Sequence, residues 1–444
     1  MKKQPATLFL SILLSLLVFY GNAQTKRDGS SPALPVLVPV APGWSNNSVN
    51  VTVFRKNSLA THGDTQFIAF YDPEGYLTLG KRHPEEREWT LNRTSYRGNT
   101  NDAHNIISIM PDGEGYLHVS WDHHGHPLRY AVTTEPYSLE LGEERPMTGE
   151  LENNVTYPEF FRMPDGGLVF MYRDGGSGRG NLVMKRYDAS TRTWTMLQQN
   201  LISGENRRNA YWQACVDDRG TIHVSWVWRE TPDVATNHDL CYARSKDGGI
   251  SWENSKGEKY TLPITAATAE TAVAIPQGSE LINQTSMTTD SRGNPYIATY
   301  WRQTGTDIPQ FHVVRHDGKT WHDSDLGFRT EPFSLGGVGT KRIPISRPQV
   351  VADLSGGRLK LMLIFRDEER GEKVSVAVCD DVSSNRWTIS DLTGFPVGSW
   401  EPTFDTELWR SRGKLHLFVQ RVEQVDGEGR ADIEPQMIHV LEVE

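Results

Sequence analysis

The sequence predicts an all-β fold, a seven-bladed β-propeller forming a single domain, and three observations support this prediction. A short apolar strand, a turn containing glycine and a second strand rich in β-branched and aromatic residues recur seven times along the 444-residue chain. The turn glycines lie roughly one propeller blade apart. Long amphipathic helical periodicity is absent, which disfavours helical and doubly wound folds. The seven turn glycines are Gly75, Gly115, Gly167, Gly220, Gly293, Gly357 and Gly413.

The turns themselves have a composition that explains their conformation. An Asp shortly before the Gly, as in Asp218-Arg219-Gly220 and Asp290-Ser291-Arg292-Gly293, is a hairpin signal because such turns need a residue with positive φ. The segment from Ser245 to Trp252 (SKDGGISW) resembles the Asp box of sialidase-type propellers. That motif is structural and does not specify a ligand.

The N-terminal segment predicts export. Lys2 and Lys3 precede an apolar run from Leu8 to Tyr20, and small residues follow it, so residues 1–23 are predicted to be a cleaved signal peptide. The run is too short to be a comfortable membrane span, and no later segment approaches the required length. We expect a secreted or periplasmic protein with an extended leader over residues 24–42 and the propeller over residues 43–444.

Composition narrows the partners. The formal net charge is −10, which argues against nucleic acid as a partner, and three Cys in so large a domain exclude a disulfide framework. We expect a monomer that needs no cofactor. A metal ion stays an open alternative, for which His123, His124 and His126 are the clustered ligands.

Equivalent positions of different blades face the same end of a propeller, so residues at one repeat offset are predicted to converge. One such set, at the end of the second strand, is His124, Arg173, Arg229, Arg302 and Arg366. It predicts a ring of cationic donors at one mouth of the channel. The alternative interpretation is that each Arg pairs with a neighbouring acid, such as Asp174, Glu230 or Asp367.

A second set belongs to the first strand of each repeat. Its members are His104, Tyr157, Tyr211, Trp212, Asn283, Gln284, Arg347 and Glu401. Aromatic rings suit stacking on a sugar and guanidinium groups suit a carboxylate. An acidic polysaccharide or oligosaccharide is therefore the predicted ligand class.

Several of these stretches together resemble the BNR-repeat propellers of carbohydrate-active enzymes. The stretches are Asp102–Asn105, Gly115–His124, Tyr172–Gly178 and Asn209–Gln213. The resembling group includes ulvan lyases, which cleave rhamnose–uronate polysaccharide by β-elimination, and α-L-rhamnosidases acting on rhamnose-α-1,4-glucuronate of arabinogalactan-type glycans. The resemblance implies one of these activities.

The lyases of this group have two His twenty residues apart, then a Tyr and an Arg sixteen apart. His104 and His124, and Tyr157 and Arg173, match these spacings. The resemblance implies that Arg173, helped by His124, neutralises the uronate carboxylate. His104 would then act as base and Tyr157 as acid, although the two roles are exchangeable. The other residues of the two sets, Tyr211, Trp212, Arg229, Asn283, Gln284, Arg302, Arg347 and Arg366, would bind substrate.

Two other functions stay open. The rhamnosidases resemble the lyases in fold but work from the opposite face with a single His, for which His62 is the candidate here. A non-catalytic glycan-binding propeller would use the same rings of Arg and aromatic residues. Individual residues also have plain structural interpretations: Tyr157 as a packed strand aromatic, and His118 and His223 as repeated core positions.

Overall fold

The chain folds into seven antiparallel sheets arranged as the blades of a propeller, which confirms the predicted fold class. The structure is a computed structural model that describes Met1 and residues 35–284, 286–353 and 358–443. Apart from Met1, the predicted signal peptide lies outside the described residues. The first strands of neighbouring blades pack against one another, so they line the axis and each blade runs outwards from it.

The first three blades contain the segments that carry most of the predicted site. Their strands are β2 (Leu59–His62), β3 (Thr65–Tyr71), β4 (Tyr76–Arg82) and β5 (Thr90–Arg97); β6 (Ile107–Pro111), β7 (Leu117–Trp121) and β9 (Tyr130–Val132); and β10 (Val155–Arg162), β11 (Leu168–Gly176), β12 (Arg179–Asp188) and β13 (Thr193–Ser203). A short strand, β8 (His124–His126), pairs with β10 and so joins the second blade to the third.

The next three blades repeat the four-stranded pattern. Their strands are β14 (Asn209–Val216), β15 (Ile222–Arg229), β16 (Asn237–Ser245) and β17 (Glu270–Val273); β18 (Ser286–Thr289), β19 (Pro295–Trp301), β20 (Gln310–His316) and β21 (Trp321–Asp325); and β22 (Gln349–Asp353), β23 (Lys360–Phe365), β24 (Ser375–Cys379) and β25 (Thr388–Asp391). Short 3₁₀ turns at Val234–Thr236 and Glu368–Arg370 lie in the connections after β15 and β23.

The seventh blade closes the ring by combining the two ends of the fold. It contains β26 (Leu415–Gln420), β27 (Gln436–Val443) and β1 (Val36–Gly43), in the order β1-β27-β26. A helix, α1 (Thr406–Arg412), precedes β26, and Asp405 caps it by accepting a hydrogen bond from Leu408 N. Strand β1 lies mostly within residues 24–42, predicted as a leader, so the propeller starts earlier than predicted.

The repeated turns have the predicted chemistry, but not all of them are equivalent. Gly115, Gly220 and Gly293 join the first and second strands of their blades and have φ near +85°. Gly75 instead joins the second and third strands of blade 1, β3 and β4, so it lies at the other end of its blade. In the turn between β10 and β11 of blade 3, the glycine with positive φ is Gly166 rather than Gly167.

Of the two remaining turn glycines, one differs from the prediction and the other is not described. Gly413 ends α1 with φ of 64° instead of closing a hairpin. Gly357 lies outside the described residues.

Two buried histidines stabilise the turns that join the first and second strands of blades 2 and 4. His118 contacts Tyr130 (Nδ1 to OH, 2.7 Å) and Asp112 (Nε2 to Oδ2, 3.4 Å). His223 forms the corresponding contacts with Tyr242 and Asp217 in blade 4. Because Asp112 and Asp217 also accept backbone N–H groups of their own turns, each histidine ties a turn to its blade.

Removal of β1 tests the ring closure. We expect a chain starting at residue 44 to lose more than about 3 kcal/mol of unfolding free energy relative to one starting at residue 24. The chain starting at residue 44 lacks β1, the outer strand of blade 7, which carries the fully buried Val38. Burial of one such side chain alone contributes about 1.5–3 kcal/mol to the unfolding free energy. Chemical denaturation measures the difference. A chain starting at residue 35 is the control, and a loss equal to that of the longer deletion would contradict the assignment.

Candidate active site at the propeller axis

A cavity of about 170 Å³ opens on the axis, at the end of the propeller where the second strands finish. Most residues of the two predicted sets line it. They are His104, His124, Tyr157, Arg173, Tyr211, Arg229, Asn283, Arg347, Arg366 and Glu401. Six different blades contribute these side chains, so the convergence predicted from repeat offsets is present for this part of the set.

Asp102 holds the two histidines together. His104 Nδ1 contacts Asp102 Oδ1 at 2.8 Å, and His124 Nδ1 contacts Asp102 Oδ2 at 2.6 Å. The two imidazole rings stack with centroids 4.0 Å apart. Because the carboxylate occupies both Nδ1 atoms, each histidine is left with Nε2 for chemistry. Sequence reasoning missed Asp102, although an Asp two residues before a candidate His is the signal that would have identified it.

The protonation states in this group follow from burial and pairing. Burial lowers the pKa of His104 despite the opposing effect of Asp102, so the ring is neutral at neutral pH. Partial burial opposes ionisation of Asp102, but the hydrogen bonds from His104 and His124 outweigh it and hold its pKa far below the usual range. A neutral imidazole hydrogen-bonded to a carboxylate is suited to accept a proton at Nε2.

Tyr157 lies at the floor of the cavity in an unusual backbone conformation. Its φ is 57°, and a bulge between Thr156 and Glu159 interrupts the pairing of β10 with β11. The ring is buried, with Phe54 at 5.0 Å and His104 at 5.9 Å between centroids. Burial raises the pKa of Tyr157 well above its usual value, so the phenol keeps its proton and can donate it.

Arg173 is a buried cation whose hydrogen-bonding capacity is not fully used. The residue is 3% exposed, and its Nε and Nη1 atoms have no hydrogen-bond partner among the described residues. Its guanidinium lies 5.0 Å from the ring centroid of Tyr157. A buried charge without an anionic partner is costly, which makes Arg173 a preformed site for an anion.

Arg229 also lines the cavity, and its hydrogen-bond partners within the described ranges are neutral groups. Its Nε donates to Asn237 Oδ1 (2.9 Å), Nη1 to the Tyr211 hydroxyl (3.1 Å) and Nη2 to Asn283 Oδ1 (3.4 Å). Burial alone would raise the pKa of Tyr211, but the charges of Arg229 and Arg173 lower it to about 8. Tyr211 is therefore close to ionisation in mildly alkaline solution.

The other two arginines of the cavity are held by the protein itself. Arg347 forms a two-pronged ion pair with Glu401, Nε to Oε1 at 2.7 Å and Nη2 to Oε2 at 2.5 Å. Arg366 donates to three backbone carbonyls, those of Trp400, Pro344 and Ile343. These contacts favour a structural role for Arg347 and Arg366 over a role in substrate binding, although both residues line the cavity.

Four predicted site residues are not at the cavity surface. Trp212 packs in the core between blades, with Trp226 and Trp228. Gln284 lies behind the wall, where its Oε1 accepts from Asn283 Nδ2 at 3.2 Å. Arg302 is paired with Glu280 (2.7 Å), so the prediction that it joins the ring of donors is wrong.

His62 is the fourth of these residues, and it is the last residue of β2, next to the turn that follows. There its Nδ1 contacts the Tyr137 hydroxyl at 3.0 Å. A second cavity of about 470 Å³ occupies the opposite end of the axis, lined by residues such as Lys56, Cys215 and Trp409. His62 lines neither cavity.

The metal ligands that the structure brings together differ from those predicted. His123 is buried, and its Nε2 accepts a hydrogen bond from Arg129 N at 2.8 Å, so it does not converge with His124 and His126. In the described part of the chain, Asp102, His104 and His124 are the group whose ligand atoms lie within 4.8 Å of one another. The same three groups are those best arranged for proton transfer.

The fold and the site together define a seven-bladed β-propeller with a cationic and aromatic cavity on its axis. The chain belongs to the BNR repeat-containing family, whose sequence model matches residues 65–329. An ulvan lyase of Alteromonas sp. (strain LOR) is 24% identical over 371 residues, which cover 72% of this chain and 75% of that protein. The match to a long-isoform ulvan lyase of Pseudoalteromonas sp. (strain PLSV) covers 13% of that protein.

Solved structures resemble the whole propeller. The polysaccharide lyase Uly1 has a TM-score of 0.68 at 13% identity, covering 93% of this chain and all of that one. A PL25 ulvan lyase bound to -[GlcA(1-4)Rha3S]- has a TM-score of 0.63 at 15% identity, covering 92% of this chain and 96% of that one. At these identities the likeness shows the fold.

The ionisation of Tyr211 gives a prediction that needs no substrate. We expect a tyrosinate absorbance change with a midpoint near pH 8, because Arg229 and Arg173 stabilise the phenolate. Ultraviolet difference titration measures it. Tyr211→Phe should remove the transition, Arg229→Gln should move it to higher pH, and Tyr157→Phe should leave it in place. A transition that survives in Tyr211→Phe would contradict the assignment.

Proposed function

We propose that the protein is a polysaccharide lyase that cleaves rhamnose–uronate, ulvan-like acidic polysaccharide by β-elimination. The observation that carries the proposal is the buried Arg173 guanidinium, beside a histidine and a tyrosine suited to proton transfer. Two nitrogens of Arg173 have no hydrogen-bond partner in the part of the chain that the structure describes. Sequence similarity to ulvan lyases supports the same reaction class. The whole protein's substrate range is part of this proposal.

Charge neutralisation is the first requirement of the reaction. A uronate C-5 proton is hard to remove while the adjacent carboxylate is charged, since the carbanion would add a second negative charge. Arg173 meets this requirement with a buried charge that no acid among the described residues pairs with, and Arg229 adds a second positive charge nearby. Because both are withdrawn from water, their effect on a bound carboxylate is stronger than that of exposed arginines.

Proton transfer completes the elimination. His104 Nε2 accepts the C-5 proton, the C4–C5 double bond forms, and the bond from C-4 to the glycosidic oxygen breaks. Tyr157 donates its phenolic proton to the departing oxygen, and exchange with solvent restores both groups. The depressed pKa of His104 and the raised pKa of Tyr157 favour this assignment over the reverse one.

Substitutions of these residues test the proposal. His104→Asn, Tyr157→Phe and Arg173→Gln should each lower kcat/KM on rhamnose–glucuronate oligosaccharides by about 100-fold or more, since each removes a proton-transfer or charge-stabilising group. Product mass and the ultraviolet absorbance of unsaturated uronate are the measurements. Arg302→Gln is a matched control for Arg173→Gln, because it removes the same charge from an arginine already paired with Glu280.

The same assay separates the two alternative functions. Saturated products and free rhamnose, lost on His62→Gln, would establish the rhamnosidase instead. Binding of the oligosaccharide with neither a new reducing end nor a double bond would establish a glycan-binding propeller. We expect His62→Gln to leave the lyase activity unchanged.

The pH dependence follows from the same groups. Activity should persist below pH 6.5 and fall only as acid protonates His104, because burial lowers its pKa. Above about pH 8 KM should rise, since ionised Tyr211 adds a negative charge beside Arg173 and Arg229. Initial rates over the pH range measure both limbs, and in Tyr211→Phe the alkaline rise in KM should disappear.

We further propose that the protein acts outside the cytoplasm, where its polysaccharide substrate is found. The predicted signal peptide, residues 1–23, supports export. Across the described ranges, no helix has the length and apolar character needed to cross a bilayer. N-terminal sequencing of the exported protein tests this: a start at residue 24 is expected, and an uncleaved N-terminus would contradict it.

A further inference from the structure

The cationic groups of the cavity are unequally available. Five Arg or Lys side chains line its described part, and three are already committed. Arg347 pairs with Glu401, Arg366 is used by backbone carbonyls, and Lys341 Nζ pairs with Asp426 Oδ2 at 2.9 Å. Arg173 and Arg229 remain without an anionic partner among the described residues.

These two arginines form one anion site rather than two. Both guanidinium groups act on the same Tyr211 phenol, and Arg229 donates to it directly at 3.1 Å. A single carboxylate held by both guanidinium groups would balance the charge of each, and Arg173 is the one of the two with side-chain nitrogens that have no partner among the described residues. The uronate carboxylate of the proposed substrate fills this site.

The wall on the His104 side of the cavity carries negative charge instead. Glu428 Oε1 lies 3.7 Å from His104 Nδ1 and accepts hydrogen bonds from Thr340 N and Oγ1, both at 3.1 Å. The Glu428 side chain is 41% exposed, so its carboxylate meets solvent at the cavity lining. Asp102 lies on the same side and accepts from both histidines.

We infer that the site selects a rhamnose–uronate glycan that carries no sulfate on the part lying beside His104, with Glu428 as the residue that excludes sulfate. The inference rests on the proposed function. With the carboxylate at Arg173 and the reacting carbon at His104, glycan substituents beside His104 come close to Glu428, since Glu428 lines the same cavity 3.7 Å from that ring. A sulfate there meets a carboxylate and finds no available cation in the described lining. The fold relative bound to -[GlcA(1-4)Rha3S]- is a contrasting case, since its ligand carries a sulfate.

Binding of matched fragments tests this inference independently of cleavage. The probes are ulvan oligosaccharides and the same fragments after chemical desulfation, titrated calorimetrically into the Tyr157→Phe variant. We expect the desulfated fragments to bind at least about tenfold more tightly, since juxtaposed like charges disfavour the sulfated ones. Glu428→Gln should reduce this preference and Glu428→Lys should reverse it. Glu434→Gln is the control, because it removes the same charge from an exposed position in the same β26–β27 connection and should preserve the preference.

The outcomes separate the inference from the proposed function. Equal affinity for the two fragments, tighter binding of the sulfated one, binding of neither, or an unchanged preference in Glu428→Gln would each overturn the inference. Wild-type protein incubated with the desulfated fragments tests the function. If the preference is present but no unsaturated product forms, the specificity stands and the lyase proposal fails.

Discussion

Closure of the ring by β1 is the constraint on which the site depends. The candidate groups come from different blades: His104 precedes the first strand of blade 2, Tyr157 and Arg173 belong to blade 3, and Tyr211 to blade 4. Most of them do not hydrogen-bond directly to one another, so their relative positions are set by how the blades pack around the axis. Pairing of β1 with β27 joins the two ends of the fold in blade 7 and so holds the ring of blades closed around the axial cavity.

Within that ring, the two arginines Arg347 and Arg173 show the difference between scaffold and site. Arg347 is matched by Glu401, so its charge is compensated in the folded protein. Arg173 is also buried, but its guanidinium lies over the Tyr157 ring and forms no ion pair with any described residue. A cation–π contact offsets part of the desolvation cost but not all of it. The fold thus retains an unfavourable interaction that a bound carboxylate would relieve.

Sequence reasoning succeeded where repeat spacing determines geometry. His104 and His124 are twenty residues apart because the hairpin of β6 and β7 lies between them and returns the chain to the same end of the blade. Sequence reasoning failed where the direction of a side chain determines whether it reaches the cavity. Tyr211 and Trp212 are neighbours on one strand, so they face opposite sides, and only Tyr211 reaches the cavity. Arg302 has the predicted repeat offset, but it forms an ion pair with Glu280 from the connection between β17 and β18. No repeat pattern predicts such a partner.

The backbone at Tyr157 explains how one strand, β10, directs side chains towards the cavities at both ends of the axis. A regular β10 would alternate its side chains strictly, whereas the bulge inserts Tyr157 and Pro158 between the paired residues Thr156 and Glu159. The bulge aims the phenol into the site cavity, while Glu159 stays buried and interacts electrostatically with Lys56, which lines the opposite cavity. A left-handed conformation at a bulky residue costs about 1–3 kcal/mol and persists only where its surroundings enforce it. Here the packing of Phe54 and Arg173 against the ring enforces it, and this conformation places in the site cavity a phenol whose pKa burial keeps high.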